Sequence, residues 1–196
     1  MTRQSSRERK TSETTIQLRL ALDGGDARIS TGVGFLDHML ELVARHARLG
    51  LEVEASGDLE TGAHHTTEDV GIVLGQGLDE ALGDRAGIRR YGSATVPMDE
   101  SLAECAIDVS GRPLCVFDAE LPATSIAGFD TELAEEFFRA FANSAKLTLH
   151  INVRYGTNAH HMIESAFKAF ARALREAVSV DPAETGIPST KGTLSQ

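Results

Sequence analysis

From residue 14 the chain alternates. Ile16, Leu18, Leu20 and Leu22 occupy every second position, the period of a half-buried strand, and the run stops at the turn signal Asp23-Gly24-Gly25. Over 35–48 the period lengthens, and Leu36, Leu40, Val43 and Ala47 fall on one face of a helix. Leu51-Glu-Val-Glu-Ala55 alternates again, and Thr66 to Leu82 reads as a second helix. The same succession returns later: a strand around Pro113 to Asp118, a helix over 131–146 with Leu133, Phe137 and Phe141 turned inward, a strand from Leu147 to Val153 and a helix over 160–178. Ser101 to Val109 reads as a further strand between the two runs.

The recurrence extends to single residues. Thr61-Gly-Ala-His-His-Thr-Thr-Glu68, laid over Thr157-Asn-Ala-His-His-Met-Ile-Glu164, agrees at Thr, Ala, both His and Glu without a gap, at an offset of 96 residues. The same offset puts Leu78 on Leu174, Glu80 on Glu176 and Ala81 on Ala177. Histidine is rare, and aligned pairs of it are not a product of helix propensity. The pattern predicts an α+β fold built by internal duplication of an α/β half-domain, a mixed sheet with helices packed on it, the two similar halves forming one compact subunit. The predicted boundaries are a polar N-terminal segment over 1–12, half-repeats over 13–98 and 99–180, and a phosphate-binding tail over 181–196.

Composition narrows the chemistry. With 196 residues, 41% hydrophobic and 24% charged, the chain is long enough for a real core and is neither disordered nor membrane-embedded. The longest nearly apolar stretch, Val70 to Leu78, is broken by glycines and far too short for a bilayer. Met1 to Lys10 is polar and basic with no apolar segment behind it, so a cytoplasmic location is expected rather than secretion. A net charge of -10 argues against nucleic acid as partner and leaves a small molecule. Cys105 and Cys115 form no CxxC pair and are expected to be ordinary buried thiols.

The unusual feature is histidine: four of the seven lie in two His-His pairs. On a helix, residues four apart share a face, so His64 with Glu68 and His160 with Glu164 can each grip one metal ion. Adjacent residues point about 100° apart, so His65 and His161 aim at different ions from their neighbours. His38, in Phe35-Leu-Asp-His-Met39, is a further candidate ligand. Imidazole and carboxylate without thiolate suit Mn, Fe, Co or Zn, with octahedral nitrogen and oxygen ligation favouring Mn. The order differs from the His-Glu-x-x-His of zinc peptidases. Gly32-Val-Gly-Phe35 is a turn rather than a dinucleotide fingerprint, and there is no P-loop lysine motif and no GxSxG elbow. Ile187-Pro-Ser-Thr-Lys-Gly192 offers hydroxyls, a lysine and flexible backbone to a phosphate, while Arg90 and Arg112 are loop arginines, either solvated or phosphate-binding.

The segments Gly34-Phe-Leu-Asp-His-Met-Leu40, Gly57-Asp58, His64-His-Thr-Thr-Glu-Asp69, Pro97-Met-Asp-Glu100, Asp108-Val-Ser-Gly-Arg-Pro113, Leu149-His150, His160-His161, Glu164, Phe167-Lys-Ala-Phe170 and Pro188-Ser-Thr-Lys-Gly192 resemble, in this order, the imidazoleglycerol-phosphate dehydratase family of histidine biosynthesis. The resemblance runs from about Arg9 to Leu194. It implies two Mn ions per active site, held by His38, His64, His65, Glu68, His160, His161 and Glu164. One more family ligand is commonly a histidine just before a Phe-Phe pair; here Glu136 precedes Phe137-Phe138, so that either a carboxylate replaces the imidazole or the position falls to water. The tail keeps its hydroxyl where Thr190 stands for the family's second serine.

The implied reaction removes water from imidazole glycerol phosphate to give imidazole acetol phosphate. The carbon that loses its proton has no neighbouring carbonyl; metal held at the ring nitrogens would make the ring imidazolate-like and so favour loss of the hydroxyl. Glu13 matches the family's N-terminal glutamate and is the candidate base. Glu68 and Glu164 join it as catalytic carboxylates. His46 lies about 12 Å of helical rise from His38, too far to share its ion, and is expected to contact substrate or give a proton to the leaving hydroxyl. Arg90, Arg112, Lys168, Ser189 and Lys191 are expected to hold the substrate. The family's assembly, a closed shell of about 24 subunits with sites shared between neighbours, is expected as well. Two other readings are a two-metal hydrolase of a phosphorylated small molecule and a metal-storage assembly; a storage protein has no need of Arg90, Arg112 and Lys191.

Overall fold

The computed structural model describes residues 3–194; the first two residues of the N-terminal segment and the last two of the tail lie outside the described residues. The elements run β1 (Gln4–Lys10), β2 (Thr14–Ala21), β3 (Ala27–Ser30), α1 (Gly34–Ala47), β4 (Gly50–Gly57), α2 (His64–Leu82), β5 (Tyr91–Met98), β6 (Ser101–Asp108), β7 (Leu114–Asp118), β8 (Ser125–Ile126), β9 (Phe129–Asp130), α3 (Leu133–Ala145), β10 (Thr148–Tyr155) and α4 (Ala159–Val178). One four-stranded sheet has the order β1-β2-β4-β3, and a second repeats it as β5-β6-β10-β7. In each, the last edge strand is parallel to its neighbour and the other pairings are antiparallel. The inward positions of β2, Ile16, Leu18 and Leu20, are buried as the alternation requires. Helices α1 and α2 pack on the first sheet, α3 and α4 on the second, with α2 against α3 and α1 against α4, so the helices form the middle of a layered sandwich. No helix among the described residues is long and apolar enough to cross a membrane.

The topology corrects the correspondence between the halves. A constant offset of 96 pairs the strand at 14–22 with that at 113–118, but the equivalent strands are β2 with β6 and β3 with β7. Gln4 and Tyr91, Thr14 and Ser101, and Ala27 and Leu114, which open equivalent strands, are each 87 residues apart. The offset grows beyond β7 because that stretch of the second half carries the extra hairpin β8–β9. The seam also moves: Tyr91–Met98, placed in the first half by a boundary at 98, pairs with β6 and belongs to the second sheet. The polar segment at 1–12 contains strand β1, whose charges are used in packing: Arg7 meets Glu80 at 2.6 Å and Arg9 meets the buried Asp69 at 2.8 Å.

Helix ends repeat more faithfully than strand offsets. Arg48 caps α1 and Lys146 caps α3, both in the left-handed region (φ 58° and 53°), and the buried Leu49 and Leu147 donate their amides to Ala44 and Ala142. The core is less symmetric, since Phe137, Phe138, Phe141, Phe167 and Phe170 from α3 and α4 stack together while the first half is filled mainly by aliphatic residues, with Phe35 its one phenylalanine. Where α2 crosses α3, a Cβ on Gly75 would stand 2.5 Å from the Phe141 carbonyl oxygen and 2.9 Å from the Ala145 amide, both backbone atoms. Gly75→Ala is therefore expected to lower stability by about 1–3 kcal/mol, read from chemical denaturation; an unchanged midpoint would mean the helices separate freely. Cys105 is buried and Cys115 half-buried, neither bridged. Burial pushes both thiols up, Cys115 to about 11, so they stay protonated at neutral pH.

Candidate active site

Both His-His pairs open a helix. At α4 the Asn158 side chain accepts from the His160 and His161 amides at 2.9 and 3.3 Å, fixing the first turn. His160 Nε2 then lies 3.0 Å from Glu164 Oε2, one turn on, as the spacing predicts. His38 reaches the same oxygen from α1 at 3.6 Å, and the ligand atoms of His38, His160 and Glu164 all fall within 4.8 Å of one another. The Phe35 ring stands edge-on to His160 at 5.0 Å and limits its rotation. Glu164 is buried and its other oxygen takes Lys168 Nζ at 2.6 Å. Burial alone would raise this carboxyl, but the hydrogen bond and charge of Lys168, with His160 and His38, hold it below the ordinary carboxylate value. The group is negative and faces two imidazoles.

His65 and His161 point elsewhere, as expected, and each is held by a carboxylate. His65 Nδ1 lies 3.0 Å from Asp58 Oδ2, and His161 Nδ1 lies 2.7 Å from Glu100 Oε2. A carboxylate on Nδ1 keeps the proton there and leaves Nε2 as a free lone pair, the usual way a ligating histidine is oriented. These hydrogen bonds are the first cause holding both imidazoles above, and both carboxyls below, their ordinary values. Glu100 also accepts from the Thr157 and Asn158 amides at 3.1 and 2.8 Å, so it fixes the start of α4 as well as the ring. Glu13, in the exposed β1–β2 turn, comes within 3.9 Å of His65 Nε2.

Other predicted residues are not gathered in the single chain. Among the described residues, His64 touches only the His65 ring edge, at 6.0 Å between centroids, and Glu68 and Glu136 make no ion pair. The first motif lacks the closed His–Glu contact of the second. His46, near the end of α1, is half-buried; burial, then the charges of Lys168, Arg172 and Arg45, hold its imidazole below its ordinary value, so the ring is neutral at pH 7. Of the two roles expected from the chain, substrate contact or proton donor, a neutral ring suits the contact.

The phosphate candidates meet around the tail. Arg90 is paired to Asp108 at 2.7 and 3.1 Å and donates to the Pro188 carbonyl at 2.8 Å, so its charge is committed to holding the tail in place. Arg112, from the neighbouring loop, is 53% exposed; Nη1 donates to the Ser110 carbonyl at 3.4 Å and Nη2 is 3.9 Å from Asp108, weak contacts that leave its charge available to an anion. Ser189 and Lys191 lie on a tight turn closed by the Gly192 amide on the Ser189 carbonyl at 3.0 Å. Sequence reasoning gave no role to Asp58, Glu100, Asp108 or Asn158. The first three stand in the segments quoted for the resemblance, and for Asp58 its place one loop before a histidine pair is a signal that could have found it.

Similarity to known proteins places the chain in a family. A model of the imidazoleglycerol-phosphate dehydratase family matches residues 31–174. The imidazoleglycerol-phosphate dehydratase of Bacillus cereus (strain ATCC 14579) is 61% identical over 193 residues, covering 98% of this chain and 100% of that one. That of Symbiobacterium thermophilum is 62% identical over 187 residues, 95% of this chain and 90% of that one. The crystal structure of the Staphylococcus aureus dehydratase superposes with a TM-score of 0.84 at 45% identity, over 91% of this chain and 99% of that one. The Pyrococcus furiosus enzyme, solved in complex with (S)-C348, gives 0.84 at 35% identity, over 95% and 99%. With both histidine pairs inside the region the family model matches, and with relatives about 60% identical over nearly the whole length, this chain belongs to the imidazoleglycerol-phosphate dehydratase family.

Proposed function

We propose that this chain is a hydro-lyase that converts imidazole glycerol phosphate to imidazole acetol phosphate in histidine biosynthesis. The observation that carries the reading is the convergence of His38, His160 and Glu164 from two helices, in a chain of this family. The donor set fits a divalent transition metal: imidazoles and a negative carboxylate within 4.8 Å, and two further imidazoles each oriented by a carboxylate on Nδ1. We read it as two Mn(2+) per active site, ligated by His38, His64, His65, Glu68, His160, His161 and Glu164, with Glu136 or water in the remaining position. Bound metal would supply the electron sink that the substrate lacks.

The chain's own residues do the rest. Glu13 is exposed beside His65 and can take a proton from the substrate carbon. Neutral His46 contacts the substrate from the end of α1. Lys168 keeps Glu164 ionised through its 2.6 Å contact. Arg112 and Lys191 hold the phosphate dianion by charge, with Arg90 and Ser189 shaping the cradle. The open first motif supports sites completed by a neighbouring subunit, within a closed shell of about 24 copies. A biosynthetic enzyme of this kind works in the cytoplasm.

The test is formation of imidazole acetol phosphate by stripped protein with Mn added back. Release of inorganic phosphate instead would mark a hydrolase and sink the proposal. Arg112→Ala and Lys191→Ala are each expected to lower kcat/KM about tenfold or more, chiefly through KM, with metal content unchanged. An unaltered kcat/KM removes that residue from the phosphate cradle.

A further inference from the structure

The tail that carries Ser189 and Lys191 is tied at both ends by arginines. Arg90 takes the Pro188 carbonyl at 2.8 Å. At the far end Arg85, which no motif or resemblance singled out, donates from Nη1 to the Leu194 carbonyl. Arg85 is 3% exposed, just past the end of α2, with a left-handed backbone (φ 64°) that turns its side chain inward. Its Nη2 reaches Asp79 at 2.5 Å and the Ala145 carbonyl, at the end of α3, at 3.3 Å. Asp79 is in turn held by Lys146 at 2.7 Å. Leu194 is itself buried, 4% exposed.

A third segment closes on the same point. Gly111 has φ 76° and stands next to Arg112; a Cβ there would collide with the Leu194 carbonyl oxygen and come within 2.9 Å of Arg85 Nη1. One carbonyl is therefore gripped between a buried guanidinium and the loop that presents Arg112. The planar fork of Arg85 spans three acceptors from three elements, which a point charge such as lysine does not reproduce.

We propose that Arg85, Gly111 and the Leu194 carbonyl form a clasp that sets the spacing of the two loops holding the substrate's phosphate, Arg112 on one and Ser189 with Lys191 on the other. Arg85 is then a positioning residue that never touches substrate. The inference rests on the phosphate recognition proposed above, and it assigns that recognition a part of the molecule far from the metal ligands in sequence.

The test compares the Mn-loaded protein with Arg85→Lys and with a chain ended after Thr193. The readouts are KM and kcat for the phosphorylated substrate, and the affinities of inorganic phosphate and of imidazole by calorimetry. Both variants are expected to bind phosphate about tenfold more weakly and to show a matching rise in KM, the loss of one charge-assisted hydrogen bond. Imidazole affinity and metal content stay unchanged, because the ring end of the site is untouched. A purely structural role would lower the melting temperature and the active fraction while leaving phosphate affinity alone, and that result overturns the clasp. Should Arg85→Lys fail to fold, the shortened chain, which keeps the guanidinium on Asp79 and Ala145, decides by itself. A chain that forms no product yet loses phosphate affinity in both variants would sink the dehydratase reading and keep the clasp.

Discussion

His161→Ala, and equally His65→Ala, should leave a folded chain that holds less metal and turns over near background. Each ring has its Nδ1 on a carboxylate, 2.7 Å from Glu100 or 3.0 Å from Asp58, so removing it takes away an oriented donor that no neighbour can supply. Taking away the carboxylate instead is the milder change: Glu100→Gln and Asp58→Asn should cost roughly 10–100-fold in metal affinity or activity, because the ring remains but its tautomer and aim are no longer fixed. The histidine variants should fall well below that. Elemental analysis of the purified protein beside the dehydration assay checks both, and full Mn occupancy in either alanine variant would remove that histidine from the ligand set.

Chelation should do more than stop the reaction. In one chain the second motif closes with His38, while His64, Glu68 and Glu136 gather no third ligand among the described residues, so completion by a neighbour makes the metal part of the subunit contact. A ligand bound only in the assembled state, present at about 100 times its dissociation constant, contributes about 2.7 kcal/mol per site to that state. If the chain assembles as proposed, into a shell of about 24 copies with sites shared between neighbours, removing Mn should break it into smaller species. Light scattering before chelation, after it and after Mn is restored reads the change directly. A monomer that binds both metals and turns over at full rate would sink the shared site; a stripped shell that stays intact would show that protein contacts suffice for assembly.

Which strands could be read along the chain follows from where they lie in the sheets. β2, β4, β6 and β10 occupy the centres, and their alternation of buried and exposed positions is plain. β1 and β3 are edges with little to show: in β1 only Ser5 is buried and in β3 no residue is, so the alternation that announces a strand is missing, whereas the edge strand β7 keeps enough of it to be read. The helices show themselves because several turns repeat one apolar face. Within the site, the histidine pairs stand out by rarity and spacing. Asp58, Glu100 and Arg85 do not, because a lone acid or arginine in a loop carries no period, and for Glu100 and Arg85 the partner also lies far along the chain. The strand correspondence failed for a related reason, an ungapped offset being carried across the stretch where β8–β9 had been added.

The offset that relates β1 and β2 to β5 and β6 also relates Glu13 to Glu100, 87 residues on, in the equivalent turn. Duplication therefore set one glutamate over each of two equivalent imidazoles, His65 and His161. In the second half that glutamate is spent on orientation, bound to Nδ1 at 2.7 Å and to two backbone amides. In the first half Asp58 has taken over the Nδ1 contact, and Glu13 is left 3.9 Å from the opposite nitrogen with half its side chain in solvent. The twin carboxylates stand differently: one is tied down as scaffold, and the other, with Asp58 on Nδ1 in its place, keeps the exposure that the base proposed for this site requires.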